Sequence, residues 1–402
     1  MIIKAKDWQR PELSNEQSIQ DTVQKMLSDI KKNGDTAIDK YAQQFDSESP
    51  REIELKPFDE YELEPELKAA IRHAAKRIKR FARFQSQTLT SQQFSDECGE
   101  FGQVITPIER AGCYIPGGRF PLISTALMTL IPAKVAGCQQ RIAVSPSAHP
   151  ALLAAASLAG ATQFFQIGGV QAIAALAFGY SSIDPVDIIV GPGNAYVNEA
   201  KAQLQRKIKI DGLAGPSEML ALCDNNQPIE WLALDALAQS EHDPVALSVL
   251  VSDSEQWLKE VEQFLKSNNK YQALIDNQQI ALILAENVEE MINVSEAFAP
   301  EHLMLCDKRI DAKQLKQFGS LFVGANSAVA MGDYCSGPNH TLPTIGYARQ
   351  SGGLNVQTFL KIQTIQTVSD NGRKELAKLA MPIANEEGLT FHYESLKIRG
   401  GT

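Results

Sequence analysis

Between residues 104 and 210 one pattern recurs: a short apolar run, a loop that usually carries glycine, then a longer apolar stretch at helical spacing. The units are "RAGCYIPGG" with "ISTALMTLIPAKVAG", "RIAVSPS" with "PALLAAASLAG", "QFFQIGGVQAIAALAFG", and "VDIIVGPGNAYVNEAKAQLQRK". Strands separated by helices can lie side by side and parallel, so the series predicts a parallel sheet covered by helices. After "DGLAGPSE" the scheme starts again, with "MLALC", "LSVLVSD", "QIALILA", "HLMLC" and "SLFVGA" as strands. The chain reads as two α/β units in series. Ahead of them the first hundred residues are mainly helical. "NEQSIQDTVQKMLSDIKKNG" and "DTAIDKYAQQF" have apolar positions at helical spacing, with Gly34 as a stop. "PELKAAIRHAAKRIKRFARFQ" is a basic amphipathic helix whose charges read as a solvated face. The tail after about residue 345 is too short and mixed to fold alone.

A length of 402 residues also exceeds one hydrophobic core and suits two or three domains. Apolar content of 44% and charged content of 21% are those of a soluble globular protein. The net charge of −10 argues against a nucleic-acid or anionic-membrane partner, either of which would want a basic face. The opening "MIIKAKDWQRPELS" lacks a basic-then-apolar leader, and no apolar run approaches membrane-spanning length. Cys98, Cys113, Cys138, Cys223, Cys306 and Cys335 are scattered. They are expected to be reduced thiols, mostly buried, in a cytoplasmic protein, and not a thiolate zinc site.

In parallel α/β units, ligands collect at loops leaving the C-terminal ends of strands. Those loops are Tyr114-Ile115-Pro116-Gly117-Gly118, Gly168-Gly169-Val170-Gln171 and Gly191-Pro192-Gly193-Asn194. Glycine lets a backbone approach a ligand, and the following helix N-terminus favours an anion such as a pyrophosphate. No G-x-G-x-x-G is present, and a lone glycine turn needs no ligand to explain it, whereas three in adjacent units suggest a nucleotide cofactor. Gln171 and Asn194 could supply side-chain hydrogen bonds.

Six histidines are present, and four stand beside acids or amides: His242, His302, His340 and His392. His73 and His149 have no such company and read as structural. In "LALDALAQSEHDPVA" an apolar helix ends in Gln239 and His242, three apart and on one face. Helix ends are polar in any case, but two such side chains could also hold something between them. A divalent metal with imidazole, carboxylate and amide ligands would suit zinc at a catalytic site. Asp333 in "MGDYCSG" and His392 are further candidates, although spacing alone does not establish the set. Glu301-His302 follows Pro300 at a predicted strand mouth, where a turn can present both side chains. The pair offers a base to orient water and a base to take an alcohol proton.

The runs "DGLAGPSEMLAL…LALDALAQSEHDP", "YIPGG", "GGVQAIAALAFG", "VGPGNAYVNEAK", "APEHLML", "GDYCSGPNHTLPT" and "EEGLTFH" together resemble the signature of the histidinol dehydrogenase family, over nearly the whole chain. The resemblance implies a zinc-dependent, NAD-linked enzyme that oxidises L-histidinol to L-histidine through an aldehyde-level intermediate that is not released. It implies zinc on Gln239, His242, Asp333 and His392, with Glu301 activating water and His302 accepting the proton. Ser217, His340 and Glu387 would contact substrate, and Tyr114, Gln171 and Asn194 would contact NAD. The fold expected is two Rossmann-like parallel-sheet domains with a helical N-terminal arm and a small C-terminal tail, in an intertwined homodimer. Boundaries would be 1–113 with 219–345 for one domain, 114–218 for the second, which carries the NAD loops, and 346–402 for a tail reaching the partner subunit.

Some positions depart from the family pattern. Ser327-Ala328-Val329 stands where a small residue, Pro and Glu are common, and Leu247 stands where a Gln is common. The segment between "NEAK" and "DGLAGPSE" is a few residues short. No expected ligand or base is lost. Two other readings stay open: a dehydrogenase of the same fold acting on another small alcohol such as sulfopropanediol, and a non-catalytic ligand-binding relative. Retention of buried polar groups of this kind counts against the second.

Overall fold

The computed structural model describes residues 2–11, 16–117, 121–213 and 215–400; Gly118, in the first glycine loop, lies outside them. In chain order the strands begin with β1 (Ile2–Lys4), β2 (Arg51–Glu52), β3 (Gln92–Asp96), β4 (Gly99–Pro107) and β5 (Arg110–Tyr114). Next come β6 (Gln140–Ser145), β7 (Gln163–Gln166), β8 (Ile188–Val190), β9 (Lys209–Ile210) and β10 (Glu218–Cys223). The last are β11 (Leu247–Ser252), β12 (Ile280–Leu284), β13 (His302–Cys306), β14 (Ser320–Val323) and β15 (Leu360–Val368).

These strands build an α/β fold with two six-stranded sheets and a small third one. The first sheet runs β2-β7-β6-β5-β8-β9, the second β1-β12-β11-β10-β13-β14, and the third β15-β4-β3. The second is parallel throughout. In the first only β2 runs antiparallel, against β7. Five strands in each large sheet follow the order third, second, first, fourth, fifth along the chain, which is the doubly wound arrangement. The strands at its reversal points are β5 with β8 and β10 with β13.

Every strand expected from the apolar runs is present. The unexpected ones are β1 to β4, β9 and β15, which are short or exposed and owe their pairing to distant segments. β15 is the clearest case. It pairs over nine positions with β4, from Leu360 opposite Pro107 to Val368 opposite Gly99. Its partner lies some 260 residues earlier in the chain, so nothing local announces it. The tail therefore carries more structure than the sequence suggests: β15, then helices at Asp370–Glu386 and Thr390–Gly400.

Helices Ile123–Ala136, Pro150–Ala159 and Gly169–Phe178 are buried on nearly all sides because each lies between the first sheet and further helices. From the N-terminal arm, Val23, Leu27, Ile30 and Ile38 pack with Ile173 and Leu176. Ile71, Ala75 and Ile78 of the basic helix Pro65–Ser86 pack with Leu127 and Ile131. Each such valine, leucine or isoleucine contributes about 1.5–3 kcal/mol of burial. The stretch 1–113, expected with 219–345, is thus divided. Ile2–Lys4 and Arg10 join the second sheet, the arm helices pack on the first, and residues 92–107 build the third.

Candidate active site

Glu301 and His302 arrive at the N-terminal end of β13. Helix Val288–Phe298 stops at Ala299, whose backbone is left-handed (φ 49°), and Pro300 follows, so the chain turns sharply before entering the sheet. Both side chains are buried. His302 Nδ1 lies 3.1 Å from the Glu218 carbonyl oxygen, an acceptor, so Nδ1 carries the proton and donates it. In the neutral ring Nε2 is then unprotonated. It is buried without a hydrogen-bond partner, with Asp333 Oδ1 3.5 Å away. The Glu301 carboxylate accepts from the Glu218 N–H at 2.9 Å and sits 3.5 Å from His302 Nδ1. Burial pulls the His302 pKa down, but Glu301 and Asp333 outweigh it and hold the imidazole well above its usual value.

Beneath this pair Glu218 opens β10, the neighbouring strand. Its carboxyl pairs with Arg10 and accepts from the Ile345 N–H at 3.1 Å. Arg10 also donates to the Phe298 carbonyl, with its guanidinium 3.9 Å from the centre of the Phe298 ring. Burial, and the charge of Glu301, push the Glu218 carboxyl up to about 7 against the pull of Arg10. Neither Glu218 nor Arg10 is among the residues that the sequence singles out. Glu218 could have been, from its place in "GPSE"; Arg10 lies 208 positions away and carries no local signal.

Asp333 comes from the short helix Val329–Tyr334, and Gln239 from the end of helix Ile229–Ser240. Gln239 Nε2 donates to Asp333 Oδ2 at 3.2 Å. His340 Nδ1 lies 2.8 Å from the Asp333 carbonyl oxygen, and its Nε2 lies 3.2 Å from Thr125 Oγ1, at the start of a helix on the first sheet. Burial lowers the His340 pKa more than Asp333 raises it. For Asp333, burial is outweighed by His302, His340 and His242, which hold its carboxylate below the usual range. A cavity of about 260 Å³ opens here, lined by His302, Asp333, His340, Phe322, Met331 and Asn339.

Gln239, Glu301, His302, Asp333 and His340 therefore meet in one place, with His242 near enough to act on Asp333. His242 itself is exposed, just beyond the helix end. Ser217 lies next to Glu218, and its carbonyl accepts from the Leu247 N–H at 3.0 Å. His392, on the last helix, and Glu387, just past the end of the helix before it, are exposed, and no hydrogen bond or ion pair joins either to the cavity among the described residues. Correspondingly, no group of three His, Cys, Asp or Glu is poised for a metal among the described residues. The departures sort by place: Leu247 and Val329 are buried in the core, while Ser327 and Ala328 line the cavity. His149 caps helix Pro150–Ala159, with Nδ1 accepting from the Ala151 N–H at 3.3 Å.

Tyr114 ends β5, and Gln171 and Asn194 follow the C-terminal ends of β7 and β8, on the first sheet. The Tyr114 hydroxyl accepts from the Gly169 N–H at 3.3 Å. Gln171 Nε2 donates to Asp46 at 3.0 Å, which leaves Oε1 buried without a partner. Asn194 Oδ1 accepts from the N–H groups of Tyr196 and Val197, both at 3.1 Å. The expectation of anion-binding helix N-termini needs correcting at two of the three loops. Asp46 accepts from the Gly168 N–H at 3.0 Å and Asn194 caps the next helix, so the chain fills those sites itself.

The donors fit both cofactors that the site suggests. An amide, a carboxylate and an imidazole on Gln239, Asp333 and His242 are nitrogen and oxygen ligands suited to zinc, one short of a closed set. Gln171 Oε1 is an unpaired acceptor beside glycine loops, where a nucleotide would offer donors.

Two doubly wound sheets, one bearing glycine loops and the other a buried carboxylate–imidazole pair, make up the α/β scaffold of the site. The family model for histidinol dehydrogenase matches residues 9–400. The histidinol dehydrogenase of Methanosarcina mazei is 41% identical, over 95% of this chain and 92% of its own length. That of Thermus thermophilus is 38% identical, over 96% of each. A crystal structure of histidinol dehydrogenase from Elizabethkingia anophelis has a TM-score of 0.89 at 34% identity, covering 97% of this chain and 94% of that one. The chain belongs to the histidinol dehydrogenase family, and its activity is that of a histidinol dehydrogenase, an oxidoreductase of histidine biosynthesis. Membership implies histidinol as substrate and the use of NAD and zinc. A 3,6-anhydro-L-galactose dehydrogenase structure, at 11% identity and a TM-score of 0.51 over 88% of this chain and 87% of that one, shares the fold alone. Among the described residues no helix is long and apolar enough to cross a membrane.

Proposed function

We propose that His302 and Glu301 divide the two halves of a four-electron oxidation of L-histidinol to L-histidine. The observation that carries this is the held ring of His302, with Nδ1 bound to the Glu218 carbonyl and Nε2 unpaired at the cavity. In the first half Nε2 takes the hydroxyl proton while the carbinol hydrogen leaves as hydride, giving the aldehyde. In the second half Glu301 takes a proton from water as it adds to the aldehyde. The resulting diol monoanion loses a second hydride and a proton to become the carboxylate. Ser217, His340 and Glu387 bind the substrate, and burial of the site keeps the aldehyde from bulk water.

Gln239, His242, Asp333 and His392 would hold zinc. When bound, zinc supplies a Lewis-acidic anchor for the amine and imidazole nitrogens of the substrate, and NAD supplies the hydride acceptor. Tyr114, Gln171 and Asn194 would contact the NAD.

The exposed place of His392 and Glu387 supports a homodimer in which the tail of one copy, residues 346–402, completes the site of the other. Exposed apolar residues on the tail, among them Ile362, Leu379, Ile383 and Phe391, are consistent with a covered surface. The division into a catalytic domain centred on 219–345 and a coenzyme domain at 114–218 belongs to the same proposal. So does a cytoplasmic location, which the six unpaired thiols favour.

Two substitutions test the roles. His302→Ala should keep its zinc by metal analysis and lose turnover by about 10²–10⁴-fold. His242→Ala should lose the metal. Full zinc occupancy and activity in His242→Ala would show the ligand assignment to be wrong.

A further inference from the structure

Lysine and aspartate are seldom fully buried, yet Lys201 and Asp211 expose only 1% and 4% of their side chains. Neither belongs to the cavity described above. Lys201 lies on helix Ala195–Leu204, and Asp211 follows β9. Lys201 Nζ donates to Asp211 Oδ1 at 2.5 Å and to the Gly191 carbonyl oxygen at 2.9 Å. The Gly191 N–H donates to Asp211 Oδ2 at 2.7 Å. The ion pair thus grips both backbone polar groups of one residue, the first of the loop Gly191-Pro192-Gly193-Asn194.

That residue is held in an unusual conformation. Gly191 has φ 114°, and a Cβ there would run into the carbonyl oxygen of Tyr114. The loop is pressed against the end of β5, between Tyr114 and Asn194. A Cβ on Gly193 would collide with Val197, so the next turn of the loop is fixed as well.

Burying an ion pair is a poor way to gain stability, because desolvation offsets most of the attraction. A close-packed apolar pair would stabilise the helix at least as well, but it could not bond the N–H and C=O of Gly191. We propose that Lys201 and Asp211 are positioning residues that hold the Gly191–Asn194 loop, before the coenzyme arrives, in the shape that receives a nicotinamide dinucleotide. This rests on the coenzyme reading of Tyr114 and Asn194. A loop already ordered loses less freedom on binding, so the clamp should appear as affinity for the coenzyme.

The test uses the full-length protein with NAD as the probe. Lys201→Met keeps the aliphatic stem and removes the ammonium. Its Kd for NAD, measured by calorimetry on protein shown to be folded, should rise about tenfold, and KM for NAD with it. The KM for histidinol should stay within threefold, and kcat at saturating NAD should fall less than threefold. Asp211→Ala, which removes both acceptor oxygens, should match Lys201→Met, and so should Asp211→Asn, whose amide NH2 would face one of the two donors the carboxylate now accepts from. A role confined to stability would instead lower Tm in Lys201→Met and leave its Kd for NAD unchanged, and that result overturns the proposal. Should the variants not fold, deuterium exchange on the parent protein decides: the Gly191 amide should be protected without NAD to the level of the β8 strand. Fast exchange that slows only when NAD is added overturns the clamp. Tyr114→Phe and Asn194→Asp separate this from the coenzyme reading. If they raise the Kd for NAD and Lys201→Met does not, the clamp alone is wrong; if neither they nor Lys201→Met raise it, the coenzyme reading is wrong too.

Discussion

A histidine acts as a base only when neutral, and the surroundings of His302 favour the charged form. Burial opposes the charge, but Glu301, 3.5 Å away, and Asp333 more than offset it. The sign follows directly. Below the raised pKa the ring is protonated and cannot accept the hydroxyl proton, so kcat/KM for histidinol should climb with pH along a limb above 6.5, the ordinary histidine value. Glu301 is the largest cause that raises the pKa, so Glu301→Gln should shift that limb to lower pH while also slowing the second half-reaction. A pH profile of kcat/KM in both proteins reads this. An unshifted limb would mean that another group titrates. The residues that meet at the cavity stand in distinctive runs, "PEH" for Glu301 and His302 and "GDY" for Asp333, and so were legible in the sequence. What supports them was not legible. Arg10 and the backbone of Glu218 act across the fold, and spacing along the chain carries no trace of that.

Helix Ile229–Ser240 shows how an element delivers a site. Leu232, Ala233, Ala236 and Leu237 are buried in the core of the second sheet, so the end bearing Gln239 is rigid. The carbonyls around that end need partners, since a helix leaves its last ones unsatisfied. Gln279, itself buried, supplies them: its Nε2 donates to the carbonyls of Ser240 at 2.9 Å and Asp243 at 2.8 Å. Its own carbonyl accepts from the Ser248 N–H at 2.8 Å. Gln279→Ala should cost about 1–3 kcal/mol by denaturant unfolding and weaken zinc binding, because the segment leading to His242 loses its anchor. Zinc affinity unchanged alongside such a loss would detach the metal site from this helix end. The helix could be read from its apolar period. Gln279 could not, because it opens the run "QIALILA" and reads there as the first residue of a different strand.

At the scale of the whole molecule, the two large sheets present opposite ends to the chemistry. The glycine loops proposed to receive the coenzyme leave the C-terminal ends of β5, β7 and β8, as expected for doubly wound sheets. Glu218 and His302 instead sit at the N-terminal ends of β10 and β13. The segment from Asn339 to Thr344 spans the gap. Asn339 donates to the Met128 carbonyl at 2.6 Å, His340 reaches Thr125, and Thr344 accepts from the Gly215 N–H. Strand runs made the two sheets legible, but not the division of residues 1–113 between them, which depends on distant pairing. His392 and Glu387 lie outside this junction in a single chain, so the dimer proposal makes a sharp prediction. Mixing and refolding two inactive variants, His302→Ala and His392→Ala, should restore about a quarter of parental activity, since half the dimers are mixed and each has one intact site. No recovery, with mixed dimers shown to form, would place His392 in its own chain's site.

The most direct measurement is stoichiometric. Purified protein with zinc, NAD and L-histidinol is followed for NADH by absorbance and for product by chromatography. Two NADH for each L-histidine formed, with no aldehyde released, is the predicted result. One NADH for each aldehyde that accumulates, or no turnover of histidinol while another small alcohol is oxidised, would contradict it.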